Sequence, residues 1–206
     1  MFRKSLFVSL IVLALIYTGV TAAGAEESPG AVLKRSIDNA IIILNQPVEP
    51  VQEALDERNQ RLFEMAAEVF DFPSLTMGAL GSNWRRFNRA ERNEFIDLFS
   101  HVVANSYFSQ MEGQDFSNVV IDFGETKMLQ STSSGVRRAD IESIVTHNGT
   151  KTPVVYRMLE KNNTWKVYDV IIENVSMVSN YREQYKARFM DTPQKMIAEL
   201  KEKLNR

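Results

Sequence analysis

The hydrophobic period of this chain changes once, near Phe116, and that change decides which folds are open to it. Before it, apolar residues recur at intervals of three and four; after it, they alternate. Val119, Ile121 and Phe123 form the first alternating run, and Ala139, Ile141, Ser143 and Val145 the second. Val154, Tyr156 and Met158 form the third, and Trp165, Val167, Asp169 and Ile171 the fourth. Turn-rich segments separate them: 130–135, His147-Asn148-Gly149-Thr150, and Asn162-Asn163. Connections this short join antiparallel neighbours, because a parallel pair needs a crossover of a dozen or more residues. The expected class is α+β, with an antiparallel sheet of four or five strands in sequence order, not α/β.

The faces of the last hairpin follow from its turn. With Asn162-Asn163 as a two-residue loop, Tyr156, Met158, Trp165, Val167 and Ile171 share one face with Asp169. Val155, Leu159, Tyr168, Val170 and Ile172 share the other with Arg157. Neither face is polar. Such a sheet is covered on both sides or closes around something apolar, since a bare apolar patch of several hundred Å² is unusual in a soluble monomer. The flanking helices are the expected cover.

Helical spacing runs from Pro29 to Leu44, through Val32, Ile37 and Ile41, and stops at Asn45-Gln46-Pro47. A second pattern runs from Glu49 to Phe70, and Phe72-Pro73-Ser74 reads as the next break. A short helix is then expected, with Leu75 and Leu80 inward and Gly81 at its end. Asn88 reads as an N-cap with Glu91 as its capping-box partner, opening a helix striped by Phe95, Phe99, Val103 and Tyr107. So broad an aromatic stripe is either ordinary core or the wall of a cavity. After the sheet, Ser176 caps one helix, and Thr192 with Pro193 opens the last.

The first 25 residues stand apart from the fold. Arg3 and Lys4 precede an apolar run from Leu6 to Tyr17, and Ala23-Gly24-Ala25 offers a small-residue cleavage site. This reads as a secretory signal peptide, the run being shorter than the roughly 20 residues a spanning helix needs. The expected division is signal peptide 1–25 and one domain over 26–206. Removing Arg3 and Lys4 from 24 basic against 26 acidic residues leaves a formal charge of −4. That charge gives no overall pull toward nucleic acid, although Arg85, Arg86, Arg89 and Arg92 cluster, most simply as a solvated helix face. An exported chain with no cysteine depends on packing for its stability, which suits a Gram-negative periplasm.

The stretch from Trp165 to Tyr185 is the most distinctive in the chain. Trp165-Lys166-Val167-Tyr168-Asp169-Val170 is followed by two apolar residues, then Glu173-Asn174-Val175-Ser176, an apolar pair, Asn180-Tyr181-Arg182 and Gln184-Tyr185. Upstream lie Leu80-Gly81-Ser82-Asn83-Trp84 and a helix with Glu91, Phe95, Phe99 and Tyr107. Taken together these residues resemble the signature of the MlaC-type toluene-tolerance family, from about Ala31 to Leu200. Asn174 stands where many relatives carry Gly, and Asn tolerates positive φ better than other non-glycine residues.

The resemblance implies a curved NTF2-like or cystatin-like sheet wrapped by helices around an apolar pocket for acyl chains. It implies a periplasmic phospholipid carrier working with an inner-membrane ABC transporter complex and its substrate-binding subunit, and with an outer-membrane lipoprotein complex. No cofactor, metal or nucleic acid is expected. Tail contacts are expected from Leu80, Phe99, Val103 and Tyr107 on the helices, and from Ile141, Tyr156, Met158, Val167 and Ile171 on the sheet. Trp165, Asp169, Ser176, Asn180 and Tyr181 are the expected structural motif. A carrier for a hopanoid or another lipid is the near alternative, and a small-molecule isomerase or hydratase on the same fold the distant one. In the latter Asp169 is a general base with Tyr156 or Tyr168 beside it. In a carrier of any lipid its role is structural: the carboxylate accepts backbone N–H groups at the strand-to-helix turn, or pairs with a basic residue such as Arg157 or Arg182. The remaining sequence lends catalysis no support: the two histidines are isolated, and no nucleophile or zinc motif is present.

Overall fold

The computed structural model describes residues 27–49, 51–111, 114–131 and 135–205, so the expected signal peptide lies outside the described residues. Four helices come first: α1 (Pro29–Leu44), α2 (Gln52–Val69), α3 (Phe72–Leu80) and α4 (Arg89–Met111). Five strands follow, β1 (Val120–Leu129), β2 (Arg138–His147), β3 (Thr150–Lys161), β4 (Thr164–Ile172) and β5 (Val175–Ser176). The last elements are α5 (Met177–Lys186) and α6 (Pro193–Leu204). Among the described residues, no helix is long and apolar enough to cross a membrane.

Local chemistry sets the helix ends. Ser28 accepts the Ala31 N–H at 3.2 Å and opens α1 with Pro29 in its first turn. Asn88 and Glu91 satisfy each other's backbone N–H groups at 2.8 and 3.0 Å, a complete capping box. Ser176 and Thr192 cap α5 and α6 as expected. One boundary differs. Pro73 does not break a helix but sits in the first turn of α3, where its missing N–H is not needed. The interruption is at Phe70-Asp71, where Asp71 caps α3 and its own N–H donates to the Val167 carbonyl at 2.8 Å.

The strands lie in the order β1-β2-β3-β4-β5, every neighbouring pair antiparallel. The turns that join β2 to β5 each place two consecutive residues at positive φ: Asn148-Gly149, Asn162-Asn163 and Glu173-Asn174. Two left-handed residues are what a tight hairpin of the right twist requires, and Asn or Gly supplies at least one at each turn.

The register of β3 with β4 is not the unbroken alternation that the sequence suggests. Glu160 opposes Trp165 and Met158 opposes Val167, but Arg157 then opposes Asp169, leaving Tyr168 as an extra residue on β4. This bulge moves every later residue of β4 to the other face. Asp169 and Ile171 therefore lie with Arg157 and Val155, whereas Val170 and Ile172 join Tyr156, Met158, Trp165 and Val167. The expected faces are corrected in that half of the strand.

Helices cover the two faces unequally. Val154, Met158, Trp165, Val167 and Val170 pack with Ala139, Ile141 and, from α1, Val32 and Leu33 in one buried cluster. A second cluster joins Leu80, Phe95, Phe99, Val103, Tyr185 and Leu200 among α3 to α6. Phe70 and Met177 touch both clusters and mark the seam between them. The opposite sheet face stays half open, with Val155, Arg157 and Ile171 partly buried and Glu142 and Ile144 exposed. The expected solvated arginine cluster is divided. Arg86 donates to the Phe189 and Asp191 carbonyls, and Arg92 donates to the Trp84 carbonyl while stacking on its ring, so both tie loops together. Arg85 and Arg89 are exposed.

Candidate functional site

Where two packed clusters meet along a seam, side chains of different elements have to fill the space between them, and here they leave it partly empty. A cavity of about 260 Å³ lies between α2, α3, α4 and the edge of the sheet. Phe70, Phe72, Val103, Tyr107, Val170 and Met177 form much of its wall. A neighbouring cavity of about 160 Å³ lies under α1 and α2, between Leu33, Ile37, Met65 and Val69 on one side and Val167 on the other. Ala66, Phe70, Phe108 and Tyr156 line both, so the two are divided only by those side chains.

The walls present almost nothing to a polar ligand. Ser36 borders the smaller cavity, but its hydroxyl already donates to the Val32 carbonyl at 2.9 Å. Burial pushes the Tyr107 and Tyr156 hydroxyls above the usual tyrosine range, so both stay neutral across the physiological span. An apolar, uncharged space of this kind suits hydrocarbon and discriminates against groups that need hydrogen bonds. Among the described residues, no group of three histidines or carboxylates is placed to hold a metal ion.

Of the residues expected to meet the tails, Val103, Tyr107, Tyr156 and Val167 line these cavities. Leu80 and Phe99 do not; they are closed in the helical cluster, where the Phe99 ring meets those of Tyr181 and Tyr185 edge-on at 5.0 and 5.9 Å. Ile141 and Met158 are closed in the sheet cluster, and Ile171 lies on the opposite face because of the bulge. The sequence reading missed Val170 and Ile172 for the same reason. It also missed α2 and the residue that follows it, whose Ala66 and Phe70 line both cavities. The spacing that marked α2 as amphipathic was the available signal.

Asp169 is 3% exposed and works as a fastener. Its Oδ2 accepts the Ser176 hydroxyl at 2.7 Å, its Oδ1 accepts the Val178 N–H at 3.0 Å, and Arg157 approaches at 3.4 Å. Ser176 in turn accepts the Ser179 N–H at 3.0 Å, so the carboxylate orients the residue that caps α5. Both of the expected structural partnerships, with backbone N–H and with Arg157, are present. Trp165 is buried under Arg137, Tyr181 packs on Phe99, and Asn180 is exposed on α5.

The family described as MlaC protein matches residues 34–202. The chain belongs to the MlaC family. No curated protein matches it. Among solved structures, the phospholipid-binding protein from Ralstonia solanacearum, in complex with a phospholipid, is similar to it with a TM-score of 0.69 at 17% identity. The similarity covers 86% of this chain and 97% of that one, and it is a likeness of fold. Within this MlaC-family chain the distinctive stretch from Trp165 to Tyr185 builds the corner where β4 turns into α5, and its Val167, Val170, Ile172 and Met177 line the apolar cavities.

Proposed function

We propose that this MlaC-family chain is a periplasmic lipid carrier and not an enzyme, holding acyl chains of a phospholipid in the two adjoining apolar cavities. The observation that carries the reading is that pair of cavities, walled by hydrocarbon and two neutral phenols. Each methylene withdrawn from water there gains about 0.8 kcal/mol. A chain of a dozen or so methylenes is thus held without any head-group contact. Membership of the MlaC family and the printed phospholipid complex of the Ralstonia solanacearum protein support the choice of ligand. Residues 1–25 act as a cleaved signal peptide and 26–206 as the carrier domain. It shuttles lipid between an outer-membrane lipoprotein complex and an inner-membrane ABC transporter with its substrate-binding subunit.

The test is native mass spectrometry and lipid extraction of the protein purified from cells, for the wild type and Val103→Trp. Val103 faces the larger cavity, so the indole has space to enter at the ligand's expense. The variant is expected to fold and to carry at most half of the wild-type lipid. A folded variant with full lipid, or a wild type purified without lipid, overturns the reading. Extraction of a hopanoid instead of a phospholipid changes the ligand class and leaves the carrier standing.

A further inference from the structure

A third cavity, of about 330 Å³, lies on the other face of the sheet, where α3 and α5 lean over β3 and β4. Its chemistry is the reverse of the seam's. Arg138 from β2, Arg157 from β3 and Arg182 from α5 all line it, with the Tyr168 ring at its wall. Asp169 is the carboxylate that lines it, and both of its oxygens are already engaged by Ser176 and Val178.

The three guanidinium groups are poorly neutralised. Arg182 donates to the Gly78 carbonyl at 2.8 Å, a neutral partner. Arg157 donates to Asp169 at 3.4 Å, a contact Asp169 shares with Ser176, and lies 3.9 Å from Asp140, at the outer limit of an ion pair. Arg138 lies over the Tyr168 ring at 5.5 Å, and among the described residues its buried Nε–H has no acceptor. Leaving a buried donor unmade costs about 1–3 kcal/mol, more for a charged group. Three cations beside Asp169, whose oxygens are engaged, and the more distant Asp140 keep guanidinium N–H donors open for an anionic ligand.

We propose that this groove is an oxyanion site that takes a phosphate group, carried by a glycerophosphate head group or present as free phosphate. Guanidinium groups carried by three different elements line one space. That arrangement fits the oxygens of a tetrahedral phosphate better than the two coplanar oxygens of a carboxylate. Met77 and Leu159 flank the charges, so a short apolar stem beside the phosphate is accommodated. The site lies across the sheet from the apolar cavities, and it stands whether or not they carry lipid.

The experiment follows the arginine Nε–H signals by nitrogen-15 NMR at low ionic strength. Sodium phosphate, glycerophosphoglycerol and sodium chloride of matched ionic strength are titrated in turn. The wild type is expected to show a saturable shift of Arg138 with one or both phosphates, and tighter binding of one identifies the source. Arg138→Gln is expected to weaken that binding about tenfold with its lipid content unchanged. Arg182→Lys, which keeps the charge and loses the fork, is the second variant and serves if Arg138→Gln does not fold. Equal shifts with chloride, shifts that never saturate, or variants that bind phosphate as the wild type does overturn the proposal. Loss of the phosphate response in Val103→Trp likewise overturns the independence of the two sites.

Discussion

Replacing Asp169 by Asn changes few atoms, and its cost follows from the hydrogen bonds at the corner. The amide keeps one acceptor oxygen, which satisfies the Val178 N–H now held at 3.0 Å. Its NH₂ group then faces Ser176, whose oxygen already accepts the Ser179 N–H and whose own proton loses the carboxylate. One charge-assisted bond at a buried site is worth about 1.5–3 kcal/mol. Arg157 adds at most about 1 kcal/mol, because it is 39% exposed and 3.4 Å away. The sum, about 1.5–4 kcal/mol, lowers the melting temperature of a domain of this size by roughly 3–16 °C. Circular dichroism melts, with urea titrations at neutral pH, measure it. The folded fraction of the variant is expected to carry lipid as the wild type does, since Asp169 lies across the sheet from the apolar cavities. A loss below about 0.5 kcal/mol would refute the fastener argument, and full stability with abolished lipid binding would place the carboxylate in the wrong site.

Phe99→Ala removes a fully buried ring from a closed cluster and is expected to cost about 3–5 kcal/mol by urea denaturation, in contrast to the tolerated Val103→Trp. Asn162→Val forces a β-branched residue to φ 53° in the hairpin turn and is expected to cost about 1–2 kcal/mol in the same assay; an unchanged midpoint would show the turn to be dispensable. Burial pushes the Tyr185 hydroxyl well above the tyrosine range. Below about pH 10 both states keep the proton, and above it the unfolded chain loses it first, so stability falls as the solution becomes more alkaline. Tyr185→Phe is expected to flatten that fall above about pH 10, and an unchanged slope would show that another group controls it.

The parts of this fold that could be read in the sequence are those fixed by neighbours in the chain. Asn88 with Glu91, Ser176 with its α5, and Asn162-Asn163 each act over three or four residues, and each does in the structure what its residue types suggest. The antiparallel order followed from the same short connections. The bulge at Tyr168 could not be read that way, because alternation counts residues and contains no term for one that is skipped. The site was legible only in part for a related reason. An amphipathic stripe shows that Leu80, Phe99 and Val103 all point inward, but whether the facing layer closes on them or leaves space depends on elements far away in sequence. Phe70 was missed because its place is set by the pairing of its segment with Val167, nearly a hundred residues later.

The extra residue in β4 also governs how this sequence can change in length. Hairpin tips such as Asn148-Gly149 are exposed, and gains or losses there leave the strands in phase. Deleting Tyr168 is a different event. It restores strict alternation and leaves Asp169 opposite Arg157 and Val170 opposite Tyr156, because the residue removed is the one without a partner across the hairpin. That deletion thus removes a wall of the arginine-lined groove and leaves the carboxylate in place to orient the cap of α5. Loss of a residue after the bulge is the damaging change: without Val170, Ile171 would fall opposite Tyr156, Ile172 opposite Val155, and the charged Glu173 opposite Val154 on the hydrocarbon face.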